Sequence, residues 1–240
     1  MRLASVVLGM MLAIGGTLPA AAQEVLVSGQ RRGYNPGDAT YNNGIVATSR
    51  PIIHLRRLAD FAVQTVRVSG DTRERDSRRS ELRSTIRNAL AAADKAGIEL
   101  ATGDYVLERL TPVNFEGLPF NGDGRPDTDV TTFLAKVRLT PGMTIDAARE
   151  RIAKFVASVS KTGRTQVGVL GDVGLSVVDP DQYRGAIVDL IAADAAISAG
   201  KFGADTGVDV TGLDRPVEWA RAGPTDVFLF LPASYVIRKH

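Results

Sequence analysis

Residues 61–113 run FAVQTVRVSGDTRERDSRRSELRSTIRNALAAADKAGIELATGDYVLERLTPV, and the hydrophobic period changes twice along them. Phe61, Val63, Thr65 and Arg67 alternate with Ala62, Gln64, Val66 and Val68, the two-residue period of a strand. From Asp76 to Ala96 the period becomes helical. Leu82, Ile86 and Leu90 recur every fourth residue, and Ala89 and Ala93 widen the same side. Asp76 or Ser77 is suited to cap the start of this helix and Gly97 to end it. From Ile98 to Val113 the two-residue period returns. Tyr105, Leu107, Arg109 and Thr111 fall on one side and Val106, Glu108 and Leu110 on the other. The stretch therefore predicts a strand, a helix and a second strand.

The same order recurs downstream. A turn-rich segment, residues 114–128, leads to a strand over Asp129–Thr140. Pro141-Gly142 turns the chain and Thr144 caps a helix whose packed side is Ile145, Ala148, Ile152, Phe155 or Val156, and Val159. Gly163 ends that helix, and Thr165–Val178 reads as a strand interrupted by Gly168, Gly171 and Gly174. Pro180 stands where a first-turn proline belongs, ahead of an Ala-rich helix from about Asp181 to Gly203. Val208–Arg221 and Asp226–Ile237 close the chain as two strands around Gly223-Pro224, and Glu24–Gly29 opens it as a short one. This pattern predicts an α+β fold with mixed or antiparallel sheets and about three helices. Two strand–helix–strand units, 61–113 and 129–178, precede a C-terminal helix and two strands. No low-complexity linker divides the chain, so one unit and two coupled lobes (24–140 and 141–240) are both compatible with it.

The amino end reads as an address. Arg2, the apolar run Leu3–Leu18, Pro19 and Ala20-Ala21-Ala22 make a secretory signal peptide over residues 1–22, with cleavage after Ala22. No later stretch approaches the roughly 20 apolar residues of a membrane-spanning helix, so the expected mature form, 23–240, has no transmembrane span. The 240 residues are 44% hydrophobic, with 29 Lys+Arg, 27 Asp+Glu, two His and no Cys. Cleavage removes one cation, Arg2, and leaves 28 Lys+Arg against 27 Asp+Glu. Zero Cys excludes a disulfide scaffold, a thiolate zinc site and a cysteine nucleophile. The near balance of charge and the 6% aromatic content argue against a nucleic-acid partner.

Several motifs taken together resemble the SIMPL domain family of bacterial envelope proteins. The helix over 181–203 carries Ala186, Asp189, Ala193, Ala196 and Gly200, similar to that family's spacing of small residues and Asp. Val25-Leu26-Val27-Ser28-Gly29 is similar to its opening strand, and Lys95-Ala96-Gly97-Ile98 to its helix-to-strand turn. The order of elements agrees over residues 24–237; the long segment Gln30–Arg50 and the arginine-rich stretch Thr72–Arg79 depart from the family. The resemblance implies a periplasmic or envelope protein with no established catalytic chemistry. Some members form ring-like oligomers and some are associated with envelope stress. A small-residue face on the last helix would let it lie close on a sheet, with Asp189 and Asp194 on its wet side.

Two clusters are candidate sites. Asn121-Gly122-Asp123-Gly124-Arg125-Pro126-Asp127-Thr128-Asp129 offers alternating oxygen donors in a tight loop, the chemistry a Ca²⁺ ion needs, through Asn121, Asp123, Asp127 and Asp129. The other reading of the same residues is a hairpin tip with Asn-Gly and Asp-Gly turns. Arg67, Arg73, Arg75, Arg78, Arg79, Arg83 and Arg87 outnumber the four acids among them by three. Arg73, Arg75, Arg78, Arg79 and Arg83 make a candidate partner surface for an envelope protein or an anionic lipid surface, against the alternative of a solvated edge with local ion pairs. His54 and His240 belong to no metal or triad spacing, and no phosphate-cradling loop is present. The expected function is an exported binding or self-assembling module, with a homo-oligomer among its partners. Its rivals are a cation- or small-ligand-binding protein using the 114–129 loop, and an envelope hydrolase whose site is assembled only in space.

Overall fold

The computed structural model describes residues 23–27, 52–104 and 106–239. The signal-peptide segment, the 30–50 segment and His240 lie outside them. In chain order the elements are β1 (Glu24–Val27), β2 (Leu55–Leu58), β3 (Phe61–Gly70), α1 (Arg75–Ala96), β4 (Glu99–Thr102), β5 (Val106–Arg109), β6 (Asp129–Arg138), α2 (Ile145–Ser158) and β7 (Thr165–Val178). They continue with α3 (Arg184–Gly200), β8 (Thr206–Thr211), β9 (Glu218–Arg221), β10 (Asp226–Phe230) and β11 (Ser234–Lys239). The fold is α+β.

Six strands close an antiparallel barrel in the order β1-β5-β4-β6-β3-β7. The two predicted strand–helix–strand units interleave in it: β6 and β7, joined by α2, flank β3 on either side. Strands from both sides of residue 140 thus complete one sheet. Outside the barrel, β2 and β9 flank β10, and β8 pairs with β11. The register assigns the faces. Ala62, Val66 and Val68 of β3 share one face with Val137, Ala135, Phe133 and Thr131 of β6. That face packs under α1 and α2 through Leu82, Ile86, Ala89, Ile152 and Phe155. Helices of this length have no room inside a six-stranded barrel, so the opposite face lines the lumen. A second, separate cluster of Phe61, Val63, Ala101, Leu107 and Leu134 fills it.

The helices end where local chemistry dictates. Thr144 caps α2, its hydroxyl accepting from the Ala147 N–H at 3.2 Å. Gly97 ends α1 with φ 65, and the Ile98 N–H returns to the Ala93 carbonyl at 3.0 Å, a Schellman closure. The start of α1 differs from expectation. Glu74, not Asp76 or Ser77, caps it: its carboxylate accepts from the Asp76 N–H at 2.9 Å and the Ser77 N–H at 2.6 Å.

Three of the expected long strands are broken. The expected strand over 98–113 is instead β4 and β5 paired antiparallel, and Gly103 turns the chain after β4 with φ 112; a Cβ there would sit 2.1 Å from the Val106 carbonyl oxygen. Residues 208–221 divide into β8 and β9 around Gly212 and Pro216, and residues 226–237 into β10 and β11 around Pro232. Strand β2 has no counterpart among the sequence expectations; it exists through pairing with β10, 170 residues away across the Arg56–Asp226 ion pair. The small-residue side of the last helix does not form its packed face. The helix buries Ile187, Ile191, Ala195 and Ala199, whereas Ala186, Ala193, Ala196 and Gly200 are exposed, as is Asp189, which lies on the wet side as expected. Asp194 is half-buried and accepts from the Tyr235 hydroxyl at 2.7 Å.

Candidate functional site

Helix α1 carries most of the cationic residues singled out above, and its geometry divides them. Arg78 points into the protein. Its Nε donates to Asp129 Oδ2 at 2.8 Å, and a terminal nitrogen donates to the carbonyls of Thr72 at 2.7 Å and Arg73 at 3.3 Å. Both side chains are buried, at 7% and 9% exposure. Arg78 is therefore a structural cation and leaves the candidate surface: one turn before Leu82, it lies on the packed side of the helix.

Arg79, Arg83 and Arg87 form a row on the adjoining side. Residues four apart on a helix stand about 6 Å from one another along the axis. Arg79 and Arg83 lie over the ring of Phe120, 5.8 and 5.3 Å from its centroid, and Arg87 lies over Phe115 at 5.4 Å. Arg79 also approaches Asp129 Oδ2 at 3.6 Å. Arg83 and Arg87 face no carboxylate at ion-pair distance among the described residues. Arg73 and Arg75 are exposed at the helix start. Arg87 is a member of this row that the sequence reading did not single out as a site residue; its signal was the four-residue spacing from Arg83.

A hydrogen-bonded turn leads into the segment that carries these rings. Asn114 Oδ1 accepts from the Thr111 N–H at 2.7 Å and its hydroxyl at 3.0 Å. Asn114 Nδ2 donates to the Arg109 carbonyl at 2.9 Å and Glu108 Oε1 at 3.1 Å. This closes the turn that buries Phe115 and leaves Pro112 and Val113 outside, Val113 at 90% exposure.

The four candidate cation ligands are drawn apart. The backbone of Asn121 pairs with that of Val130. Asp123 accepts from Arg67 at 3.1 Å and from the Arg125 N–H at 3.2 Å. Asp127 is exposed with φ 58, and Asp129 is the buried partner of Arg78. Among the described residues no group of three or more His, Asp or Glu side chains is placed to hold a metal ion.

A second polar cluster sits in the barrel lumen. Lys136 on β6 donates to Glu24 Oε2 and lies 3.5 Å from Glu99 Oε2, with its ammonium 4.0 Å from the Phe61 ring centroid. Ser176 donates to the other Glu24 oxygen at 2.6 Å. A hydrolase site would need a hydroxyl that substrate can reach. Ser176 has no exposed surface, and Lys136 is 4% exposed. In an apolar lumen this arrangement neutralises charge and satisfies its donors. His54 is likewise structural, edge-on to Phe228 with centroids 4.2 Å apart.

Ionisation at the rim follows local partners. The Glu74 carboxyl is lowered to about 2, first by the Asp76 N–H and then by Ser77. Asp71 is lowered by a bidentate bond from Arg164, at 2.8 and 2.9 Å, and Glu150 by Lys154.

Comparison with known proteins adds no identity. No family model matches the chain, and no curated protein matches it. Among solved structures, an uncharacterized conserved protein from Listeria innocua aligns at 14% identity over 75% of this chain and 92% of that one, with a TM-score of 0.14. At that score the likeness carries no argument about fold or function.

Proposed function

We propose that the chain is an exported, periplasmic SIMPL-like protein of the bacterial envelope that works by binding and self-association, without catalysis. Its export is supported by the basic start, apolar run and Ala-x-Ala ending of residues 1–22. The observation that carries the assembly reading is the second edge of β7. Strand β3 pairs with β7 along Thr165–Ser176, whereas β1 takes up the other edge only over Leu175–Val178. Among the described residues no strand covers that edge from Thr165 to Val173. Val169 and Leu170 stand there 45% and 52% exposed. An edge that no described strand covers, carrying apolar side chains, is a template for a further strand.

Light scattering after size exclusion tests this on the purified protein. A mass of two or more chains is expected, and Val169→Lys should reduce it to one. A single-chain mass at every concentration, or an assembly that survives Val169→Lys with its fold intact by circular dichroism, refutes the β7 edge as the contact. N-terminal sequencing of protein recovered from the periplasm of a Gram-negative host tests export, with Gln23 as the expected first residue.

A further inference from the structure

We infer that the arginine row of α1 and the neighbouring Val113 loop dock onto an anionic phospholipid bilayer, the guanidiniums on phosphate headgroups and Val113 at the headgroup–acyl boundary. The inference extends the binding reading above to a named surface. It does not depend on the β7 edge, so the two fail separately.

Like charges four residues apart weaken a helix, so a row of three is maintained against a local cost. Arg83 and Arg87 recover none of it from carboxylates among the described residues. Each lies within cation–π range of a ring instead, Arg83 at 5.3 Å from the Phe120 centroid and Arg87 at 5.4 Å from that of Phe115, a contact that uses no N–H donor. Such a guanidinium can receive a phosphate, which its fork of donors matches in two parallel bonds. Arg73 and Arg75 extend the positive field toward the start of the helix, and both are exposed. The nearby acids offset part of it. Asp129 is committed to Arg78, Asp123 to Arg67 and Asp71 to Arg164, and Glu81 accepts from Thr72 at 2.6 Å and the Arg164 N–H at 3.2 Å; Glu74, which caps the helix, Asp76 and Glu116 remain exposed.

Charge alone would suit any polyanion. The loop beside it selects a membrane. Val113 is two residues from Phe115, the ring near Arg87, and is 90% exposed on a turn closed by the Asn114 hydrogen bonds. A soluble acidic ligand has no use for an exposed apolar tip, whereas an interface binds basic side chains and apolar ones together.

The test is co-sedimentation of the full chain with vesicles of phosphatidylcholine alone and of phosphatidylcholine with phosphatidylglycerol at about 3:1, in low salt. Binding is expected only to the anionic vesicles. Arg83→Gln with Arg87→Gln should weaken it by about thirtyfold, from roughly a fivefold factor per arginine near a charged surface. Val113→Asp should weaken it severalfold, and circular dichroism should show both variants folded. Equal binding to the two vesicle types, or unchanged binding by the double variant, overturns the inference. Unchanged binding by Val113→Asp removes the apolar tip and with it the membrane assignment. Full displacement by millimolar inorganic phosphate, or by polyglutamate at matched charge, reassigns the row to a soluble anion and overturns the membrane assignment as well.

Discussion

Replacing Asp129 by Asn should destabilise the protein more than any surface substitution. The carboxylate accepts from Arg78 at 2.8 Å and has Arg79 at 3.6 Å, with the Asp129 side chain 9% exposed. An amide in its place would keep the volume but remove the charge that balances a guanidinium 7% exposed. The remaining partners of Arg78 are two carbonyls, of Thr72 and Arg73, which satisfy hydrogen bonds but do not neutralise it. Breaking a buried pair from one side costs about 3–5 kcal/mol. For a chain of this size that is a fall in Tm of roughly 6–20 °C. Urea unfolding followed by circular dichroism measures it, with an unchanged slope showing that the transition remains two-state. Removing both charges, Arg78→Met with Asp129→Leu, should recover most of the loss, since an apolar replacement of a buried pair is close to neutral. A loss under about 1 kcal/mol for Asp129→Asn would refute the reasoning. So would a wild-type Tm raised by millimolar Ca²⁺, because Asp129 would then be serving a cation instead of Arg78.

Other outcomes follow from single residues. Gly103→Ala should cost about 1–3 kcal/mol by denaturation, because φ is 112 and the new methyl would meet the Val106 carbonyl; a neutral result would mean the β4–β5 turn is not formed as described. Lys136→Met leaves Glu24 charged in the lumen and should cost about 3 kcal/mol or more, recovered in part by adding Glu24→Gln; equal stability of the single and double variants would sink it. Acid should act through Glu74. Its folded pKa of about 2 lies below the ordinary 4.5, so its contribution is present above pH 4.5 and disappears as pH falls toward 2. Glu74→Gln should therefore flatten the Tm profile across that window, and parallel profiles for the two proteins would show that the cap carries no such linkage.

What could be read from the sequence was whatever depends on near neighbours. The period of Leu82, Ile86 and Ala89, the Thr144 cap and the Gly97 stop are written within a few residues, and each stands where expected. The hairpin at Gly103 was also local, but the alternation on either side of it masked a Gly-Asp turn. The barrel was not local. Its closure needs β1 against both β5 and β7, pairings between residues some 80 and 150 positions apart, and β1 supplies four residues of pattern. Strand β2, Leu-Arg-Arg-Leu, carries no alternation, because it is a half-exposed edge made by β10. Distance along the chain also decides what the candidate residues touch. Asp129 looked like a ligand because its partner, Arg78, lies 51 residues away, and Lys136 drew no notice because Glu24 is 112 residues away.

The division among the arginines of α1 has a simple angular origin. Arg78, Leu82 and Ile86 are core positions, spaced by four along the packed side. Arg79, Arg83 and Arg87 each follow one of them, which places each about 100° farther round the helix. That is the flank, where a side chain neither enters the core nor leaves it, and where rings at the core margin can reach. Phe115 is buried and Phe120 half-buried, and these are the rings within cation–π range of the row. A shift of one residue thus separates a buried cation that needs a carboxylate from Arg83 and Arg87, which lie near rings and face no carboxylate at ion-pair distance among the described residues. Composition counts both alike. Only the register of the helix against β6 and its preceding loop tells which arginines hold the fold together and which remain available to a partner.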